Sequence, residues 1–385
     1  MDKRQTSAWN HMLHYALLSV LGLCLTFVNA CSDDDPAPSP RPETVDASKY
    51  ALVDLHLHLD GSLTPEDVLQ MAQMGGNVSE LPSTDLDVLR KALVCPDDNK
   101  DLTDYLKCFD LPLKVMQTRA TIAYSVKSLV KRLDKQGLIY AEIRFAPQLH
   151  TQKGLTQDEV VQAAIEGLQQ GISEANGIKA NLILCCMRGE GNDAANYETI
   201  DLAKKYLGNG VVATDLAGAE ALYPTSYYQP TFAYAKQQGV PFTIHAGEAD
   251  GVESMNLALD YGAKRIGHGI RCYNDLATQA RLKSLDVCLD LCPKSNLDTH
   301  ALAGVTTIAQ YPLQTLLLAG VPVTINTDDM TVSNTDLKSE YARLFEANIL
   351  TASQAEHIVE TSIEHAFLSA NEKTQLLAKA KERMK

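Results

Sequence analysis

Two histidines two residues apart, in Asp54-Leu55-His56-Leu57-His58, carry the strongest chemical signal in the chain. They close an apolar run, and on a strand the period of two points both imidazoles to one face. A lone histidine there is more often a satisfied core residue. A pair is hard to satisfy without a metal ion, since imidazole is a common zinc ligand. Three more clusters also close apolar runs: His245-Ala246-Gly247-Glu248, Gly267-His268-Gly269 and Asn326-Thr327-Asp328-Asp329. Each has a plain reading alone. HxxE spacing is weak, a histidine between glycines can serve a turn, and an acidic pair can cap a helix. Together they place imidazoles and carboxylates where a single mouth could gather them, a set suited to holding a metal ion.

The elements that must position these groups follow from hydropathy. Apolar runs cover 51–56, 138–145, 179–187, 211–216, 241–245, 265–268, 286–291 and 321–326, with amphipathic segments between them. Continuous apolar runs suit parallel strands covered on both faces. Alternating β and α predicts an α/β fold, and eight units predict a (β/α)8 TIM-type barrel, with an open doubly wound sheet as the alternative. Barrel enzymes place their sites on the loops after the strands, where all four clusters lie. The first connection, 61–136, is long enough for an inserted helical lid, with a helical pattern over 103–116. Leu102, Tyr105, Leu106 and Phe109 recur at one helical face of that lid. Additional helices, 351–369 and 372–385, end the chain.

The N-terminus reads as a targeting segment. Lys3 and Arg4 precede an apolar run over 15–28, short beside the ~20 residues of a membrane span. Residues 1–30 are expected to be a lipoprotein-type signal peptide. Val28-Asn29-Ala30-Cys31 looks like a bacterial lipobox, with Cys31 as the lipidated residue. Residues 31–48, rich in Asp and Pro, form a tether, and 49–385 form the folded domain. The expected localisation is export, with the lipid as the membrane anchor. Lys and Arg number 34 against 48 Asp and Glu, a formal charge of −14, which argues against a nucleic-acid partner. The seven cysteines beyond Cys31 are an odd set without CxxC and are expected to be mainly buried apolar residues.

HLHLDGSL, TIHAGE, RIGHGI and INTDD resemble, in order, the motifs of the adenosine deaminase family within the amidohydrolase-like barrels. YAEIRFAPQL, LILCCMR and DLAG resemble further strands of that family, so the similarity spans nearly the whole folded domain. The resemblance implies one zinc ion per chain, held by His56, His58, His245 and Asp328. It implies that His268 orients the attacking water and shares in its deprotonation. By the same resemblance Glu248 protonates the ring nitrogen beside the attacked carbon, and Asp329 bonds the purine imidazole nitrogen. Gly218 would contact the purine through its backbone, and Asp60 would lie near the ribose and the water network. Leu102, Tyr105, Leu106 and Phe109 would close over a purine nucleoside substrate. The implied reaction converts adenosine, and also deoxyadenosine, to the inosine form with loss of ammonia, in a monomer.

Ala219, Met330 and the loop Arg188-Gly189-Glu190-Gly191 depart from common versions of the family pattern. They bear on substrate range and rate, since none removes a ligand. Three alternatives remain open on sequence: a sister deaminase of adenine or modified adenosine, a binuclear amidohydrolase, and a non-catalytic nucleoside-binding lipoprotein. The absence of Lys from 211–218 argues against the binuclear class, whose barrels usually need a carboxylated lysine there.

Overall fold

The computed structural model describes residues 46–385, so the signal segment, Cys31 and the tether as far as residue 45 lie outside the described residues. Eight strands follow the eight apolar runs: β1 (Val53–His58), β2 (Tyr140–Phe145), β3 (Lys179–Met187), β4 (Val211–Ala217), β5 (Thr243–Ala246), β6 (Arg265–His268), β7 (Cys288–Leu291) and β8 (Val323–Ile325). Nearly every strand residue is buried, as parallel strands with helices outside require. All neighbouring pairs are parallel, in the orders β1-β2-β3-β4 and β5-β6-β7-β8. Two parallel bridges join these halves, Thr214 with Phe242 and Leu57 with Asp328. At the second seam His58 N donates to Asp328 O (2.7 Å) and Asp328 N donates to His56 O (2.8 Å). The sheet therefore closes into the expected barrel, and its last seam runs through the His56-Leu57-His58 motif.

The long first connection folds into helices Pro65–Gly75, Leu86–Leu93, Leu102–Tyr105 and Asp110–Val115 before the barrel helix Arg119–Gln136. The single helix expected over 103–116 is broken: residues Leu106–Phe109 tighten into a 3-10 turn. Pro112 supplies the reason. A proline ring clashes with the carbonyl four residues back, here Cys108, and removes its own N–H from the helical ladder. The broken stretch still faces the barrel mouth. Leu102, Tyr105 and Cys108 bury against Val332, with Leu106 and Phe109 packed on them, as a small apolar cluster separate from the main core.

At the C-terminus, helices Ala352–His365 and Ala370–Arg383 occupy the expected places, though the first stops at His365. An unforeseen helix, Leu337–Glu346, precedes them. All seven cysteines from Cys95 onward are free thiols, and all but Cys95 are buried.

The barrel interior beneath the mouth is a charged layer. Arg144 and Arg265 are fully buried. Arg144 donates to Asp215 (3.2 Å) and to the Leu55 carbonyl (2.7 Å). Arg265 pairs with Glu142 (2.8 Å) and Asp290 (3.0 Å). Isolated buried charges of this kind would be prohibitively costly; mutual pairing makes them tolerable and fixes their geometry.

Candidate active site

His56 and His58 leave β1 on the same face, His245 leaves β5, and Asp328 lies just beyond β8. Their donor atoms converge. His56 Nε2 and His58 Nε2 lie 3.0 and 3.2 Å from His245 Nε2. The same two nitrogens lie 3.2 and 3.4 Å from Asp328 Oδ1. Four ligands about 2.0–2.1 Å from a tetrahedral ion sit roughly 3.3 Å apart, so these spacings match the edges of a coordination shell. Two of these imidazoles, His58 and His245, are held neutral. Burial lowers the pKa of His58 and takes that of His245 to about 4. Their lone pairs thus face one another at short range, an arrangement that a cation resolves.

The surroundings fit the same reading. His245 Nδ1 stands 2.9 Å from Asp215 Oδ2 and His56 Nδ1 stands 3.8 Å from Asp290 Oδ2, which turns both Nε2 atoms inward. Ser295 Oγ donates to Asp328 Oδ2 (2.7 Å), leaving Oδ1 turned toward His56 and His58. Burial opposes ionisation of Asp328, but His268 and His56 hold its pKa well below the usual carboxylate range. Counting Asp215, Asp290, Glu142 and Asp328 against Arg144 and Arg265 gives 2 − 4 = −2, a deficit that one divalent cation offsets. Gly267 makes room, since a Cβ there would approach His56 Cε1 to 2.8 Å.

His268 also belongs to this buried group; one ring atom from each of His56, His245 and His268, with an Asp328 oxygen, lies within 4.8 Å of the others. Its Nε2 is nevertheless 3.8 Å from Asp328 Oδ2 and 3.5 Å from Glu248 Oε2. Its Nδ1 lies 3.0 Å from Asn296 Nδ2, whose Oδ1 accepts from Tyr311 (2.8 Å). His58 Nε2, at 3.4 Å, thus lies nearer to the Asp328 carboxylate than His268 Nε2 does at 3.8 Å, and His268 stands at the side of the cluster next to Glu248. His268 and Asp328 both adopt left-handed backbone (φ 61° and 58°), a strained conformation for non-glycine residues that is concentrated at functional sites.

Glu248 is buried, and its Oε1 has no hydrogen-bond partner. Burial first, then the charges of Asp328 and Glu220, pushes its pKa up to about 8. Asp329 is raised well above the carboxylate range by burial and by neighbouring Asp328. Burial lifts Asp60 to about 6. Two carboxyl groups that hold protons near neutral pH beside one held ionised is a division suited to acid–base work.

One cavity at the barrel mouth gathers these groups. His58, Asp60, Gly218, His245, Glu248, His268, Asp328 and Asp329 line it, as do Leu102, Tyr105, Leu106 and Phe109. His56 sits just behind the wall. Phe145, Leu149, Cys185 and Met187, from the ends of β2 and β3 and the turn after β2, complete an apolar flank that motif reasoning missed. Their position after strands was the available signal. Glu220 was also missed. Its carboxylate accepts backbone N–H groups from Gly247, Glu248, Ala249 and Asp250 at 2.7–3.1 Å, and the Ser254 hydroxyl at 2.6 Å. It thereby sets the loop that carries Glu248. His150 and His300 stay outside the cavity: His150 bonds the Met116 carbonyl and His300 the Asn99 carbonyl.

Comparison with known proteins agrees with this geometry. A family model described as adenosine deaminase matches residues 51–383. An adenosine deaminase of Haemophilus ducreyi is 49% identical over 339 residues, covering 87% of this chain and 97% of that relative. One of Enterococcus faecalis is 37% identical over 324 residues, covering 84% and 94%. Among solved structures, an adenine deaminase from Arthrobacter aurescens gives a TM-score of 0.77 at 27% identity, over 86% of this chain and 98% of that one.

Proposed function

The chain belongs to the adenosine deaminase family, and we propose that His56, His58, His245 and Asp328 hold one zinc ion around which Glu248, His268 and Asp329 carry out the hydrolysis. The reaction is the hydrolytic deamination of adenosine. The observation that carries the metal assignment is the convergence of three imidazole Nε2 atoms and one carboxylate oxygen at 3.0–3.4 Å. A nitrogen-rich set with one oxygen suits zinc. Such an ion lowers the pKa of water from about 15.7 toward ~7, making hydroxide available near neutral pH.

The chain's own groups do the rest. His268 faces the open side of the cluster, where it orients the attacking water and takes part in removing its proton. Glu248 keeps a proton to deliver to the ring nitrogen beside C6, which draws electrons away from the carbon under attack. Asp329 donates to the imidazole nitrogen of the purine, and the Gly218 backbone meets the base. Asp60 serves the ribose side and its water network. Leu102, Tyr105, Leu106 and Phe109 exclude bulk water. Addition at C6 followed by loss of ammonia leaves inosine, and deoxyadenosine serves equally in outline.

The cavity also speaks to substrate class. Its lining includes Asp60, Glu248, Asp328 and Asp329 and no Lys or Arg among the described residues. A 5′-phosphate would meet carboxylates without a compensating cation, so a neutral nucleoside is favoured over a nucleotide. One chain supplies every group named, which supports a monomer.

Export and lipid attachment at Cys31 complete the reading, supported by the sequence of residues 1–48. Among the described residues no helix is long and apolar enough to cross a membrane. Cys31→Ala should move the protein from the membrane to the soluble fraction.

The central test is ammonia release by zinc-loaded protein lacking residues 1–31 on adenosine, deoxyadenosine, adenine and AMP. Turnover of the two nucleosides, with adenine and AMP far slower, is expected. Faster turnover of adenine would shift the reading to the sister activity, and binding without ammonia release would reduce it to nucleoside capture.

A further inference from the structure

The lid face is not wholly apolar. Tyr105 is buried to about 1% exposure, and its hydroxyl lies 3.1 Å from Asp329 Oδ2 and 2.8 Å from Ser333 Oγ. A phenol needs a polar partner when buried, and this one reaches across the mouth to a carboxylate of the cavity. The far side of that carboxyl is also defined. A Cβ on Gly61 would fall 1.8 Å from Asp329 Oδ1, so the carboxyl lies directly against the Gly61 backbone. Oδ1 has no hydrogen-bond partner, and Asp329 lines the cavity. Ser333 is itself fixed to the same turn, its N–H donating to the Asp329 carbonyl (2.9 Å).

We propose that Tyr105 is a positioning residue: its hydroxyl holds the Asp329 carboxyl in the orientation that meets the purine imidazole nitrogen, so that seating the lid and gripping the base are one event. The proposal rests on the reading of Asp329 as the ring-binding carboxyl. Lid architecture supports the coupling. The apolar cluster around Tyr105 is small and separate from the main core. Other polar ties of the segment run to backbone: Cys95 N to the Val332 carbonyl (2.8 Å), and Asn99 Nδ2 to the Asp298 carbonyl (2.7 Å). Among the described residues of the lid face, Leu102, Leu106 and Phe109 carry no polar side-chain atom, which leaves Tyr105 to make the link. Withdrawal of the lid removes the Tyr105 bond from Oδ2 and leaves the carboxyl bounded on one side only. Substrate binding and closure therefore reinforce each other.

Tyr105→Phe deletes one oxygen and keeps the packed ring, so the holoenzyme can be tested intact. The informative pair is KM and kcat for adenosine against the inhibition constant of 7-deazaadenosine, in which CH replaces the imidazole nitrogen. We expect Tyr105→Phe to raise KM for adenosine about tenfold, the effect of one buried hydrogen bond to a charged or polar group. The inhibition constant of the deaza compound should stay within about twofold of wild type. Asp329→Ala should show the same selectivity, and the double variant should be no worse than Asp329→Ala alone. Equal loss for both ligands, no loss for either, or additive losses in the double variant would overturn the proposal. If Asp329→Ala distinguishes the ligands and Tyr105→Phe does not, the proposal falls while the Asp329 reading stands. If Asp329→Ala itself fails to distinguish them, both fall together.

Discussion

Glu248 and His245 lie within four residues of each other yet have separable tasks, because the strand ends between them. His245 belongs to β5 and turns its Nε2 toward β1; Glu248 belongs to the loop, where Glu220 gathers four successive backbone N–H groups. His245→Ala should therefore lose both metal and turnover. Glu248→Gln should keep one zinc per chain by metal analysis and lose turnover by several orders of magnitude, on the order expected for removing an essential acid. An active Glu248→Gln enzyme would remove the proton-donor role. Glu220→Gln tests the scaffold beneath. It weakens a buried carboxylate with charge-assisted bonds, at a cost of roughly 2–4 kcal/mol in unfolding free energy, and should depress kcat more than metal content. Such supporting residues were not legible in the sequence. Glu220 acts on positions 27 to 34 residues away, and Ser295 on a carboxylate 33 residues away; only the folded register brings them together. The strand-end positions of His56, His58, His245 and Asp328 were legible because strand period and strand ends fix where a side chain points; their assignment as ligands came from the resemblance to the adenosine deaminase family.

At the scale of elements, the eight strands could be located from uninterrupted apolar runs, with ends misplaced by one or two residues at most of them. β1 matters most: it extends to His58, so both histidines share one pleated face. The lid was legible as an insertion but not as a broken helix, although Pro112 signalled the break. Helix Leu337–Glu346 was missed and has a positional role. Its Glu340 accepts the backbone N–H of Lys294 (3.1 Å), next to Ser295, and pairs with Arg343 at 3.0 Å. Burial carries the Glu340 pKa from 4.5 to about 7. The folded state therefore holds a proton that the unfolded chain releases, and stability must fall as pH rises between about 4.5 and 7. A shift of that size amounts to roughly 3 kcal/mol, complete above pH 7. Glu340→Gln cannot ionise, so its unfolding free energy should decline less than wild type between pH 5 and pH 8 in denaturant titrations. Parallel curves for the two proteins would contradict the shift.

For the molecule as a whole, one cavity at one end of a barrel unites residues from position 58 to position 329, with a paired charged layer below it. An ion that binds this assembly and not the unfolded chain adds stability by mass action, about 4 kcal/mol at a thousandfold excess over Kd. Chelation should lower Tm by ~10 °C on the usual scaling for a chain of this size, and zinc should restore it. An unchanged Tm would mean that the four donors do not share an ion. The seam between β1 and β8 has one more consequence. Its two hydrogen bonds tie His56 and His58 to Asp328, so the groups proposed to hold the ion come from opposite ends of the folded domain. A ribosome must deliver almost the entire product before any catalytic centre can exist. Prematurely terminated copies should be inert, and a chain threaded unfolded through an export channel would acquire its chemistry only at its destination.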